Sequence, residues 1–264
     1  MNRGASDRLM AIKYNSAYRV SAILRAMSQR ERGPVMDQWA AVFGVEETDP
    51  GLRSIAVARL VGLLREQIDM VQQQLSGAEY SENTYSPQIA SARAVVTAEN
   101  LTADWADFRA KLTAEVVHTF LIFSETLAVK ETQLSNEELD AFGKLYKQVA
   151  EQIEDGYIPR QVKGFLKQQM KLIANGVREY HVQGIQGFQR ASIECAMQAI
   201  NRPAEVDNHP ESEPVVGVTR LLKRMKQYGS MDMSTEQMLN MGDEVAATIG
   251  DPWPGWAWYE RVGA

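Results

Sequence analysis

The chain has 264 residues, of which 23% are charged, with a net charge of −6 and one cysteine. A chain of this length can bury about three quarters of its unfolded surface without staples, and a lone Cys195 excludes an internal disulfide or a cysteine-based zinc site. No apolar run reaches the ~18–20 residues of a membrane helix, and the best candidate, Val116 to Phe123, is broken by His118 and Thr119, so the expected setting is cytoplasmic, with no membrane.

Charge is unevenly distributed: residues 1–33 carry +5, 34–150 carry −8, 151–202 carry +2 and 203–264 carry −5. The first block is Arg- and Ser-rich, as in a mitochondrial transit peptide. It also predicts an amphipathic helix from Asp7 to Arg30, with Leu9, Ile12, Val20, Ile23, Leu24 and Met27 inward and Arg8, Arg19, Arg25 and Arg30 outward. Such a helix is expected to dock on the acidic middle of its own chain. Gly33-Pro34 ends it, a short helix follows through Trp39 and Phe43 to Gly44, and Asp49-Pro50 opens a long one ending at Gly77. The long helix should bury Leu52, Ile55, Leu60, Leu63, Leu64, Ile68, Val71 and Leu75.

Pro87 is expected to open a shorter helix, and Ala103 to Lys130 to form a central one that leaves no polar face between Val116 and Phe123. Ser135 with Glu138 forms a capping box, flanked by Leu134 and Leu139 as a staple, and fixes the start of a helix running to Gly156. Pro159 opens the next, which Asn175-Gly176 should kink or break before the pattern resumes to Ile200. Three prolines and several acids over 203–216 read as an exposed linker, followed by short helices over 218–228 and 235–249. Period-two alternation is missing throughout. The expected fold is therefore all-α, a multi-helix bundle of about seven or more helices over 1–202, with a smaller C-terminal helical appendage over 217–264.

Glu115 and His118 stand at i and i+3, the ligand spacing of carboxylate-bridged metal bundles, but no second such pair accompanies them. They are a weak metal candidate, and no cofactor is expected. Arg202 and His209 bracket the 203–208 segment at a spacing similar to the arginine-to-histidine motif of HEPN-class helical ribonucleases. That resemblance implies an Arg that stabilises a phosphate and a His that moves a proton, without a metal. Here the spacing contains Pro203, whereas the family sets the motif on or beside helix ends.

Arg160, Lys163, Lys167 and Lys171 make one basic stripe, and Arg220, Lys223 and Arg224 a second. Either could meet phosphates, so a nucleic-acid binder is a third reading, although a solvated or internally paired face fits an acidic chain better. Gly184 and Gly187 suggest close helix crossings, and Cys195 an inert core thiol. The last fourteen residues hold Trp253, Trp256, Trp258 and Tyr259. So much aromatic surface must pack on the 218–249 helices or on another subunit. The leading expectation is a non-enzymatic subunit acting through protein contacts, with itself or with another chain.

Overall fold

The structure, a computed structural model, describes residues 14–78, 81–128 and 130–230, the side chains of 229 and 230 excepted. Residues 7–13 of the expected first helix, the expected helix over 235–249 and the aromatic tail lie outside the described residues. The elements are α1 (Ser16–Ser28), α2 (Val35–Phe43), α3 (Pro50–Gly77), α4 (Glu82–Val95), a 3-10 turn (Ala98–Asn100), α5 (Ala106–Arg109), α6 (Ala114–Thr126), α7 (Asn136–Asp155), α8 (Arg160–Gln183), α9 (Ile185–Ile200), α10 (Ala204–Asp207) and α11 (Glu213–Ser230). No strand occurs among the described residues, so the fold is all-α.

Local signals account for most of the helix ends. Asp49 accepts a hydrogen bond from the Leu52 amide at the start of α3, and Gly44 closes α2 in the left-handed conformation. Both halves of the Ser135/Glu138 capping box are made. Two expected boundaries were wrong. Pro87 does not open α4 but lies inside it, five residues after the helix begins at Glu82. The helix expected from Ala103 to Lys130 is two, because Thr113 accepts from the Val116 amide and starts α6 afresh.

The chain divides into two compact units, one comprising the residues up to Glu131 with His181–Gly184, the other Thr132–Tyr180 with the residues from Ile185 onward. In the first, α1 packs on α6, α3 and α2 and buries Ala17, Val20, Leu24 and Met27. Val57, Leu60, Leu64, Ile68 and Val71 of α3 share that core with Trp39 and Trp105. For its described part, the basic first segment does lie against helices of the acidic 34–150 block. Arg19 departs from the expected pattern: it is 2% exposed rather than solvated.

The second unit is built on α7, α8, α9 and α11, with Phe142, Tyr180, Phe188 and Tyr228 in ring contact at its centre. The expected exposed linker over 203–216 is not what is seen. It holds α10, Val206 and Val215 are fully buried, and α11 packs on α9 and α7 as part of the same core. Its acids Asp207, Glu211 and Glu213 are exposed while Pro214 is buried, and the chain divides after Glu131 rather than within 203–216.

Asn175-Gly176 does not break α8, which runs on to Gln183 and stops at Gly184 with φ +60°. Gly176 serves a close approach instead. A Cβ there would lie 2.7 Å from Ala191 Cβ and 3.1 Å from the Gly187 carbonyl oxygen, whereas one on Gly164 of the same helix would meet nothing within 4 Å. Gly164→Ala is therefore expected to stabilise by roughly 0.5–1 kcal/mol through helix propensity. Gly176→Ala is expected to destabilise by about 1–3 kcal/mol through overpacking. Urea unfolding of the two variants checks the opposite signs.

Candidate functional site

The most concentrated polar chemistry in the first unit surrounds Arg19. Asn15 caps α1 by accepting from the Tyr18 amide, and its own amide nitrogen donates to the Ser124 carbonyl at 2.9 Å, which fixes where α1 begins. One turn on, the Arg19 guanidinium donates from Nε to the Val182 carbonyl at 3.0 Å and from Nη2 to Gln67 Oε1 at 2.7 Å. It also forms a two-pronged ion pair with Glu131, through Nη1 to Oε2 and through Nη2 to Oε1 at 3.1 Å. Ser16 adds a hydroxyl at 3.3 Å, and Arg19 Cζ stands 5.3 Å from the centre of the Tyr14 ring. A buried charge persists only when paired and hydrogen-bonded, and this one meets both conditions. The group ties α1, α3, the 131 segment and the 182–184 segment together, with its donors aimed at protein acceptors. It is a clasp.

Helical spacing alone places Arg19 on the solvated face of α1. Its partners lie 48, 112 and 163 residues away, at Gln67, Glu131 and Val182, so no local spacing announces them.

Arg202 follows the end of α9 and donates to the Ala199 carbonyl at 2.9 Å and, through Nε and Nη2, to both carboxylate oxygens of Asp207 at 2.8 and 3.2 Å. Its guanidinium is thus engaged by a carboxylate and a helix-end carbonyl. His209 sits just beyond α10, half-buried, its amide donating to the Val206 carbonyl. Glu115 and His118 are both exposed on α6. Gln88 donates to Glu115 at 3.5 Å, and no cluster of three or more potential metal ligands occurs among the described residues.

In the basic stripe of α8, Lys167 and Lys163 converge on the Glu154 carboxylate at 2.6 and 3.5 Å, and Lys163 also donates to the Glu154 carbonyl. The Lys167 hydrogen bond, with the two positive charges, holds the Glu154 carboxyl below the usual carboxylate range. Arg160 and Lys171 are exposed. On α11 the apolar residues Val215, Val218, Leu221, Leu222 and Met225 are buried, while Arg220 and Lys223 are exposed and Arg224 is half-buried. Cys195 is fully buried, and burial, reinforced by the Glu194 charge, raises its thiol far above the range in which a thiolate forms. Trp253, Trp256, Trp258 and Tyr259 lie outside the described residues.

One surface feature runs against expectation. Leu52 and Ile55, expected in the core face of α3, are 56% and 67% exposed at its first turns. Between them Arg53 pairs with Asp37 at 3.1 Å, and Gly62 two turns further on has open space about it.

Fold and geometry together define an all-α multi-helix protein. No protein-family model, curated protein or solved structure matches the chain.

Proposed function

We propose that the protein is a non-enzymatic helical subunit that acts through protein contacts, with the start of α3 as one contact face. The observation that carries this reading is the pair Leu52 and Ile55. Two large aliphatic side chains, one turn apart and more than half exposed, project from a helix whose remaining valines, leucines and isoleucine are buried in the unit's core. Burying what remains exposed of each would be worth roughly 1–2 kcal/mol, which a partner surface would recover. Arg and Asp at the edge of the patch suit the rim of an interface.

The test is the mass of the full chain by light scattering, pure and in its native extract, with and without Leu52→Glu and Ile55→Glu. The expected result is a larger species in one or both settings that shrinks in the double variant, while the urea midpoint stays within about 0.5 kcal/mol of the original, as for surface changes. An unchanged mass in both settings would remove α3 from the proposal. The ribonuclease alternative has a separate readout in the same preparation: RNA cleavage lost in both Arg202→Ala and His209→Ala would replace the interaction reading altogether.

A further inference from the structure

At 3.6 residues per turn Ile55 stands on the line of α3 opposite Leu60, Leu64 and Val71, which are buried. Leu52, three residues before Ile55, and Arg59, four after it, lie together on one flank of that line. Gly51, four before, and Ala58, three after, lie together on the other. Gly51, Leu52, Ile55 and Arg59 are exposed, and Ala58 is half-buried. Charge is ordered along the same line. Glu46, Glu47 and Asp49, all exposed, precede the patch, and Arg59 closes it. The face is therefore acidic at one end, aliphatic in the middle and cationic at the other.

We propose, building on the reading of this face as a contact surface, that its occupant is the same face of a second copy, packed antiparallel about a two-fold axis at Ile55. A two-fold contact needs a patch that is complementary to itself when reversed. This one meets that condition three times. Ile55 meets its counterpart on the axis. The Arg59 stem lies over the second copy's Leu52 and carries the guanidinium on toward that copy's Asp49, joining cation to acid at both ends. Gly51 meets Ala58, and small residues at a crossing let two helices approach closely. Asp49 caps α3 through Oδ1, and Arg59 interacts within its own chain. A guanidinium has five N–H donors, however, and can serve an internal and an external acceptor together. A foreign surface of one charge sign would complement only one end of the face, whereas a reversed copy complements both. One helix face is smaller than the ~800 Å² per partner of a standard interface, so the expected dimer is weak and exchanges with monomer.

The test is disulfide trapping of the full chain under mild oxidation, comparing Ile55→Cys with Gln73→Cys. Gln73 is exposed about five turns further along the same line of α3. It lies far from its counterpart in an antiparallel pair and beside it in a parallel one. Cys195 is fully buried and does not compete. The expected product is a covalent dimer that forms from Ile55→Cys at least tenfold faster than from Gln73→Cys. Adding Arg59→Glu should slow it severalfold, and so should Asp49→Asn, which keeps a helix cap but removes the charge. Both additions should leave the far-UV circular dichroism unchanged. Equal rates at positions 55 and 73, or a rate indifferent to both Arg59→Glu and Asp49→Asn, would overturn the antiparallel pairing. If Ile55→Cys is no faster than the control while the mass in extract still falls with Leu52→Glu and Ile55→Glu, the second copy is overturned and the contact face stands with a different partner. If neither effect is seen, both fall.

Discussion

Glu131→Ala is expected to destabilise the first unit by about 3–5 kcal/mol, the usual loss when one partner of a buried ion pair is removed and the other charge is left behind. The Arg19 side chain is 2% exposed and the Glu131 side chain 9%, so water cannot replace the carboxylate without opening the contact between α1 and its surroundings. Arg19→Met should cost a similar amount for the opposite reason, stranding the carboxylate together with the Gln67 and Val182 acceptors. The double replacement Arg19→Met with Glu131→Leu should cost clearly less than the sum, since no charge is then left unpaired. Arg19→Lys keeps the charge but loses the fork that reaches Glu131, Gln67 and Val182 at once, and should not rescue. Salt provides a second check. Molar NaCl should leave this pair nearly untouched while weakening the exposed pairing of Glu154 with Lys167. Urea unfolding measures all of these, and a loss under about 1 kcal/mol for Glu131→Ala would mean the guanidinium finds other partners and the clasp is not structural.

The fold class was legible because helices announce themselves locally. Asp49, Gly44 and the Ser135/Glu138 box act within one turn of backbone, and the structure uses each of them. What failed depends on the chain meeting itself at a distance. Arg19 looks solvated along α1 because its own helix offers no acid, and the acid that holds it comes from a non-helical segment far along the chain. Gly176 looked like a breaker because a helix tolerates glycine poorly, and only the nearness of Gly187 and Ala191 gives it a purpose. Ile55 is a different kind of error. It precedes Leu64 by nine residues, about two and a half turns at 3.6 residues per turn, and so belongs on the opposite side of α3. Its exposure therefore follows from helix phase alone. A spacing such as that of Arg202 and His209 says nothing about which acceptors reach the guanidinium first, and here Asp207 and Ala199 do.

Gly184→Ala is expected to cost about 2–5 kcal/mol, from two sources that a control within the same unit separates. The first is backbone strain: Gly184 has φ +60°, where an L side chain loses about 1–2 kcal/mol. The second is collision, because a Cβ would lie 2.6 Å from Arg19 Nη1 and 2.9 Å from both Arg19 Cζ and Glu131 Oε2. The guanidinium has little room to withdraw while Gln67 and Val182 hold its other nitrogens, so the overpacking should add about 1–3 kcal/mol. Gly44 at the end of α2 has φ +64° and nothing within 4 Å of its notional Cβ, so Gly44→Ala reports the backbone strain alone. The excess of Gly184→Ala over Gly44→Ala then measures the clasp. Because that excess exists only while the ion pair is in place, it should largely vanish once Glu131→Ala has been introduced, leaving a double variant markedly less destabilised than the two single losses added together. If Gly184→Ala costs no more than Gly44→Ala, or adds to Glu131→Ala in full, then Arg19 and Glu131 do not press on Gly184, and the last turn of α8 is not held by them.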